Sequence, residues 1–150
     1  MNIAIGADHA AFELKGLVLE RLKSQGYQVE DFGTHSSASC DYPPIAEAVA
    51  KEVSEGKAER GVLMCGTGIG MSIAANKVPG VRAALVYNES VAAGTRDHND
   101  SNILVLAGRE FSNEENLRML DIWMKTPFSN AERHQRRIQE ITEMERKGGA

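Results

Sequence analysis

The segment 62–75 constrains the fold most, because it joins a short apolar run to a glycine-rich turn and then to an alanine-rich stretch. The apolar run predicts a buried strand, and the stretch 69–77 predicts a helix. A strand that enters a helix through such a turn directs free backbone N–H groups and the positive end of the helix dipole at one point. The segment therefore predicts a site for an oxyanion or a phosphate.

Cys65 lies between this predicted strand and the turn. The helix dipole and the free N–H groups favour a thiolate at that position, so we interpret Cys65 as a reactive cysteine beside an anion site. The alternative is a packing role, since free cysteine is among the most buried residue types. Cys40 lies in a polar loop with no evident base near it in sequence, and we expect it to be a bystander.

The glycine turn fits neither of the two common nucleotide-binding patterns. A dinucleotide motif that starts at Gly66 requires a third glycine where Met71 stands. A P-loop requires Lys-Ser or Lys-Thr after its last glycine, and neither pair follows Gly70. The turn therefore favours a ligand smaller than a nucleotide.

Composition excludes several other classes of protein. The chain has 150 residues, enough for one domain over 1–150, and its net charge of −4 argues against a nucleic-acid surface. It has no charged-then-apolar N-terminal signal pattern and no apolar run near ~18 residues, so we expect no membrane partner. The two cysteines lack metal-ligand spacing, which favours free thiols and a cytoplasmic location.

Predicted strands and helices alternate along the chain. This alternation predicts an α/β fold, a three-layer Rossmann-like sandwich whose parallel sheet is covered on both faces, with a further C-terminal helix. Strands are predicted at 2–5, 27–32, 62–64, 81–86 and 102–107, and helices at 10–25, 43–55, 69–77, 88–95, 112–125 and 129–146. Ser112 with Glu115, and Ser129 with Glu132, predict capping boxes for the last two helices.

Ligands of parallel sheets bind at the carboxyl ends of the strands. Asp8 and His9 follow the first predicted strand, Cys65 ends the third, and Arg109 follows the fifth. The segment 98–99 instead precedes the fifth strand. Its place in the same site requires either a connection that curls back or a second subunit.

Six segments together resemble the type B ribose-5-phosphate isomerases, over nearly the whole chain and in the same order. The segments are Ala7-Asp8-His9, Asp41-Tyr42-Pro43, Cys65-Gly66-Thr67-Gly68-Ile69-Gly70, 72–77, His98-Asn99-Asp100 and Arg133-His134-Gln135. The resemblance implies a five-stranded parallel sheet, a homodimer or a tetramer of dimers with shared active sites, and a sugar phosphate as ligand. It also implies an aldose–ketose isomerisation through an enediolate, with no metal and no other cofactor.

The resemblance also implies a role for each matching residue. Cys65 is expected to be the base between C1 and C2, and Asp8 and His98 are expected to open the ring and move hydroxyl protons. The enediolate oxygen is expected to be held by Thr67 and the backbone of Gly66, Gly68, Ile69 and Gly70. The phosphate is expected at His9, Arg109, Arg133 and Arg137, and the sugar at Tyr42 and Asn99.

Two alternatives remain open at this point. The substrate could be another sugar phosphate, such as allose or galactose 6-phosphate or a tetrose phosphate. The chain could instead be a non-catalytic module that binds a phosphorylated sugar, but simple binding needs neither the thiol of Cys65 nor the imidazole of His98. Arg133 and Arg137 are four residues apart and share a helix face, which is more often simply a solvated surface.

The last predicted helix has two further features. Many relatives have two glycines where this chain has Ala131 and Glu132, and Glu132 is expected to add negative charge beside the two arginines. The apolar stripe of the helix is thin, so we expect the helix to reach a partner chain. We expect His134 and Arg136 to be ordinary surface residues.

Overall fold

The computed structural model describes residues 1–148, in which strands and helices alternate. The strands are β1 (Asn2–Ala7), β2 (Gln28–Asp31), β3 (Arg60–Cys65), β4 (Ala83–Leu85) and β5 (Ile103–Ala107). The helices are α1 (Phe12–Ser24), α2 (Tyr42–Ser54), α3 (Ile69–Ala75), α4 (Glu89–Asn99), α5 (Asn113–Lys125) and α6 (Glu132–Gly148), and a single 3-10 turn (His9–Ala11) precedes α1.

The five strands form one parallel sheet in the order β2-β1-β3-β5-β4. The pairing places Ala7 beside Met64 and Cys65 beside Ala107. The carboxyl ends of β1, β3 and β5 therefore meet at one edge of the sheet, which we call the carboxyl edge. The predicted five-stranded parallel sheet is confirmed.

Helices cover both faces of the sheet. Side chains alternate along β3, so that Val62 and Met64 pack with α1, α4 and α5, whereas Leu63 and Cys65 pack with α2 and α3. The predicted three-layer sandwich is confirmed, and Cys65 faces the α2–α3 layer at the end of a central strand.

Helix α4 is longer than predicted. The sequence predicts its end at Thr95, but the helix continues to Asn99. Arg96 makes this possible: its side chain is buried, and its guanidinium donates to the carbonyls of Ser101 (2.6 Å) and Thr126 (3.1 Å) and pairs with Asp100 (2.9 Å). Because acceptors within the protein satisfy the guanidinium, Arg96 can lie buried in the last turn of the helix.

The other boundaries follow from local bonding. The Ser112–Glu115 capping box is confirmed at the start of α5. The box predicted from Ser129 is wrong, because the Ser129 hydroxyl accepts from the N–H of Ala131 (3.3 Å) and the helix begins at Glu132. Strand β4 is shorter than predicted because it lies at the edge of the sheet and pairs with β5 alone.

Candidate active site

The loop between β3 and α3 presents unsatisfied backbone donors beside Cys65. Within residues 1–148, the N–H groups of Gly66, Thr67, Gly68 and Gly70 donate to no protein acceptor. Gly68 is buried, and an unpaired buried N–H group is costly unless a ligand satisfies it. The N–H of Ile69 differs, because it donates to the Thr67 hydroxyl (3.2 Å). The expected set of loop donors is present without Ile69.

Glycine is required in this loop at position 68. Its φ of +78° lies in the left-handed region, which residues with a Cβ rarely adopt. A Cβ there would also lie 3.3 Å from Val105 and against Leu85. The turn that aims the N–H groups therefore depends on the absence of one side chain.

Backbone hydrogen bonds connect the three loops at the carboxyl edge. The N–H of Asp8 donates to the carbonyl of Met64 (3.1 Å), and the N–H of Gly108 donates to that of Cys65 (2.8 Å). The N–H of Arg109 donates to the carbonyl of Gly66 (3.0 Å). Asp8, Cys65 and Arg109 are thus held in one constellation, as the sequence predicts.

The side chains of Asp8 and His9 are fixed by their own local bonds. A carboxylate oxygen of Asp8 accepts from the N–H of Ala10 (3.0 Å), and the residue is 7% exposed. His9 Nδ1 accepts from the N–H of Cys40 (3.2 Å), so the neutral ring has its proton on Nε2. His9 therefore presents a donor to a ligand, and Cys40 contributes its backbone to the site.

Tyr42 and Arg109 flank the glycine loop. A Cβ on Gly70 would lie 2.6 Å from Cε1 and 2.7 Å from the hydroxyl oxygen of Tyr42, so the ring packs directly on that glycine. A Cβ on Gly66 would lie 3.2 Å from Cδ of Arg109. An aromatic ring and an arginine side chain thus border the loop that follows Cys65, and Cys65 itself is 5% exposed.

The remaining predicted residues lie at the opposite edge of the sheet. His98 and Asn99 form the end of α4, just before β5, and Ile103 pairs with Gly61. Gly61 precedes Cys65 by four residues of strand, or about 13 Å at ~3.3 Å per residue. A connection that curls back is therefore wrong, and a second subunit is the alternative that remains.

His134 stacks on His98, although the sequence predicts a surface residue. The ring centroids lie 4.5 Å apart with an interplanar angle of 23°, and His134 is 7% exposed. Burial lowers the pKa of His134, and the positive charges of Arg133, His98 and Arg137 lower it further. The prediction for His134 is wrong, although its spacing of four residues from Ile138 gives a signal for a buried helix position.

The three arginines expected at the phosphate have no carboxylate partner. In the part of the chain that the structure describes, neither Arg109, Arg133 nor Arg137 has an Asp or Glu oxygen within 4.0 Å. Glu132 forms no ion pair with these arginines within the described residues, so its charge lies beside Arg133 in sequence without neutralising it. Arg136 is different, because it pairs with Glu140 at 3.8 Å. Unpaired and exposed, the three guanidinium groups are available to an anion.

A cleft of about 830 Å³ separates α6 from the edge strand β4. Its lining includes Asn99, Arg82 and the apolar side chains Ile141 and Met144, which are 43% and 71% exposed. Within residues 132–148, His134 is the one buried side chain of α6. The helix therefore makes little core with its own chain, as the sequence predicts.

Residues 1–148 contain neither a candidate metal site nor a membrane-spanning helix. No three His, Cys, Asp or Glu side chains gather closely enough to hold a metal ion. No helix in that range combines the length and the apolar character needed to cross a bilayer.

Known proteins resemble this chain in both sequence and fold. A model of the ribose/galactose isomerases matches residues 3–141. The chain belongs to the ribose/galactose isomerase family. A probable ribose-5-phosphate isomerase B of Mycoplasma genitalium is 42% identical over 147 residues, which cover 97% of this chain and 96% of that protein. The ribose-5-phosphate isomerase B of Escherichia coli is 40% identical over 146 residues and 97% of each chain.

Solved structures of ribose-5-phosphate isomerases B superpose closely on this chain. The Clostridium thermocellum structure has a TM-score of 0.96 and 46% identity, and covers 98% of this chain and 99% of its own. The Mycoplasma genitalium structure, which has ribulose-5-phosphate bound, has a TM-score of 0.93 and 41% identity, with 97% and 96% covered. The resemblance to the type B enzymes is confirmed, and the chain is an enzyme of the sugar-phosphate isomerase class.

Proposed function

We propose that this enzyme interconverts ribose 5-phosphate and ribulose 5-phosphate, without a metal, through an enediolate. The observation that supports it best is the position of Cys65, at the end of a central strand beside a loop whose N–H groups have no protein acceptor. The relatives described above are named as ribose-5-phosphate isomerases, and the structure of one of them has ribulose-5-phosphate bound.

The chemistry needs one base and one set of donors. In the open-chain aldose, the Cys65 thiolate removes the proton from C2. The C2–H electron pair forms the C1=C2 bond, and the former carbonyl electrons move onto O1. The N–H groups of Gly66, Thr67, Gly68 and Gly70 stabilise that oxyanion. The thiol then returns the proton to C1. The C2 hydroxyl loses its proton and becomes the carbonyl, and O1 gains a proton and becomes the C1 hydroxyl, with Asp8 carrying the proton from O2 to O1. C1 is thus reduced and C2 oxidised without an external reagent.

The remaining roles follow from where each side chain lies. His98 opens the aldose ring by proton transfer, and the buried carboxylate of Asp8 exchanges hydroxyl protons. His9, through Nε2–H, binds the phosphate together with the unpaired Arg109, Arg133 and Arg137. Tyr42 and Asn99 border the sugar, and the exposed Ile69 borders the opening of the loop.

This arrangement requires two chains. Cys65 and Arg109 lie at the carboxyl edge, whereas His98, Arg133 and Arg137 lie at the other edge of the same sheet. A two-fold dimer that places the carboxyl edge of one chain against α4 and α6 of its partner completes two identical sites. The cleft beside Asn99, with exposed apolar side chains on α6, is the surface that we assign to the partner.

A coupled assay over four-, five- and six-carbon sugar phosphates tests the proposal. We expect ribose 5-phosphate and ribulose 5-phosphate to have the highest kcat/KM, and exhaustive chelation to leave the rate unchanged. Preferred turnover of allose or galactose 6-phosphate, or of a tetrose phosphate, would correct the substrate. Binding of the phosphates without turnover of any of them would replace the enzyme with a binding module. Loss of rate on chelation, with recovery on adding one divalent ion, would overturn metal independence.

A further inference from the structure

The stacked pair joins two elements with different roles in the proposed reaction. His98 belongs to the last turn of α4, and His134 belongs to the first turn of α6. Residue 134 lies directly after Arg133 and three residues before Arg137, so it shares its helix segment with both proposed phosphate ligands. The contact between the rings therefore links the proposed phosphate site to the proposed ring-opening imidazole.

The surroundings of His98 leave one other restraint on its ring. Its Nε2 lies 3.2 Å from a carboxylate oxygen of Asp97, and 52% of the His98 side chain is exposed. Asp97 is itself 48% exposed, so this pair is screened by water. The buried ring of His134 is the larger fixed surface against which the His98 imidazole rests.

We propose that His134 is a positioning residue, which holds the His98 ring in the orientation for opening the sugar and couples that orientation to the arginines of α6. This inference rests on the proposed isomerase function. Proton transfer depends first on geometry, and an imidazole as exposed as His98 has several side-chain rotamers without a packed neighbour. When Arg133 and Arg137 bind phosphate, the first turns of α6 become fixed, and the stack then fixes His98 as well.

The charge state of His134 suits this role. The charged or titratable groups that face it are Arg133 and Arg137 on α6, and His98 and Asp97 on α4. Its lowered pKa keeps the ring neutral at pH 7. When His98 takes up a proton during ring opening, the resulting cation lies over a neutral aromatic ring, which is favourable, whereas two stacked cations would repel each other.

Three variants separate a stacking role from simple space filling. His134→Phe keeps a flat ring that cannot titrate, His134→Leu keeps apolar bulk without a flat ring, and His134→Ala removes both. We expect His134→Leu and His134→Ala to lower kcat on ribose 5-phosphate by about ten- to a hundredfold, since a small misplacement of an acid–base group has effects of that order. We expect His134→Phe to retain most of the activity.

A double-variant cycle gives the second readout. If His134 acts through His98, adding His134→Leu to a His98→Asn protein causes no further loss of kcat. Equal activity of the Phe and Leu variants, or fully additive losses in the cycle, would overturn the inference. The comparison of His134→Phe with His134→Leu distinguishes a stacking role from space filling even if His134→Ala fails to fold. An unaltered protein that turns over no sugar phosphate would refute the proposed function itself, which is a different outcome.

Discussion

The two edges of the sheet present the proposed site in opposite ways. At the carboxyl edge, three loops are connected by backbone hydrogen bonds, and the ligand would meet N–H groups without a protein acceptor and a cysteine that is 5% exposed. At the opposite edge, where the strands begin and which we call the amino edge, the ligand would meet long, exposed side chains on two helices, with the stacked pair His98–His134 between them. The first half, which we call the cradle, is built from hydrogen-bonded backbone, and the second half is built mainly from exposed side chains on two helices.

This difference predicts which changes each half tolerates. In the cradle, a single added methyl group meets a neighbouring side chain, as at Gly68 and Gly70. On α6, guanidinium groups four residues apart are exposed, so their removal leaves the fold intact and affects the ligand alone. Substitutions in the cradle are therefore expected to lower both stability and activity, whereas substitutions of the arginines on α6 are expected to lower ligand binding alone.

The largest effect is expected at Cys65. Cys65→Ala removes the proposed base but leaves the loop donors, so kcat should fall by about 10²- to 10⁴-fold while substrate still binds. Cys40→Ala is the matched control, because it retains the backbone N–H that donates to His9, and its kcat should be unchanged. Steady-state kinetics of both variants measure the difference. Full activity of Cys65→Ala would remove the proposed base.

A methyl group at position 68 should reduce stability and activity together. Gly68→Ala forces a left-handed φ on a residue with a Cβ and crowds Leu85 and Val105, which should cost about 1–3 kcal/mol in the free energy of unfolding. Gly16→Ala is the control: it lies inside α1, where a Cβ meets nothing within 4 Å. It should stabilise the protein by up to about 1 kcal/mol. Urea titrations of the two variants should therefore shift in opposite directions, and a shift in the same direction would contradict this account.

On α6, neighbouring arginines should differ in function. Arg137→Ala removes an unpaired guanidinium and should raise KM by about ten- to a hundredfold, since a hydrogen bond to a charged group contributes about 1.5–3 kcal/mol. Arg136→Ala removes one that already pairs with Glu140, and it should leave KM nearly unchanged. Both proteins should unfold at the same urea concentration as the parent. Equal KM values for the two variants would place the phosphate elsewhere.

The smallest effect is a pH dependence of stability. The pKa of His134 lies below the value of 6.5 that the unfolded chain has. As the pH falls below 6.5, the unfolded state binds the proton before the folded state does, so the free energy of unfolding decreases until the pH passes the folded pKa. Above 6.5 this stabilisation is complete. His134→Gln should show a shallower decrease in urea titrations between pH 7 and 5, and an unchanged slope would contradict the role of burial.

Local pattern was sufficient to predict the cradle and the sheet. The carboxyl end of β3, its glycine turn and α3 lie within fourteen consecutive residues, 62–75, and the alternation of strands and helices determines a parallel sheet. The shape of the amino edge depends instead on contacts between distant residues. Arg96 extends α4 by bonding to Ser101 and Thr126, and His134 is buried by α4 rather than by its own helix. The bonds of Arg96 have no signature within one sequence window, and the spacing of His134 from Ile138 indicates a buried position without indicating which element covers it.

The shared site is the central claim, and mixed dimers test it most directly. Cys65→Ala and Arg137→Ala proteins are each expected to have little activity under subsaturating substrate. They are unfolded together and refolded, and mass spectrometry confirms that mixed dimers have formed. If each site takes Cys65 from one chain and Arg137 from its partner, every mixed dimer has one intact site. Random mixing makes roughly half the dimers mixed, so roughly a quarter of the parent activity should return. If both residues serve the site of their own chain, no activity returns, and that result would contradict the account.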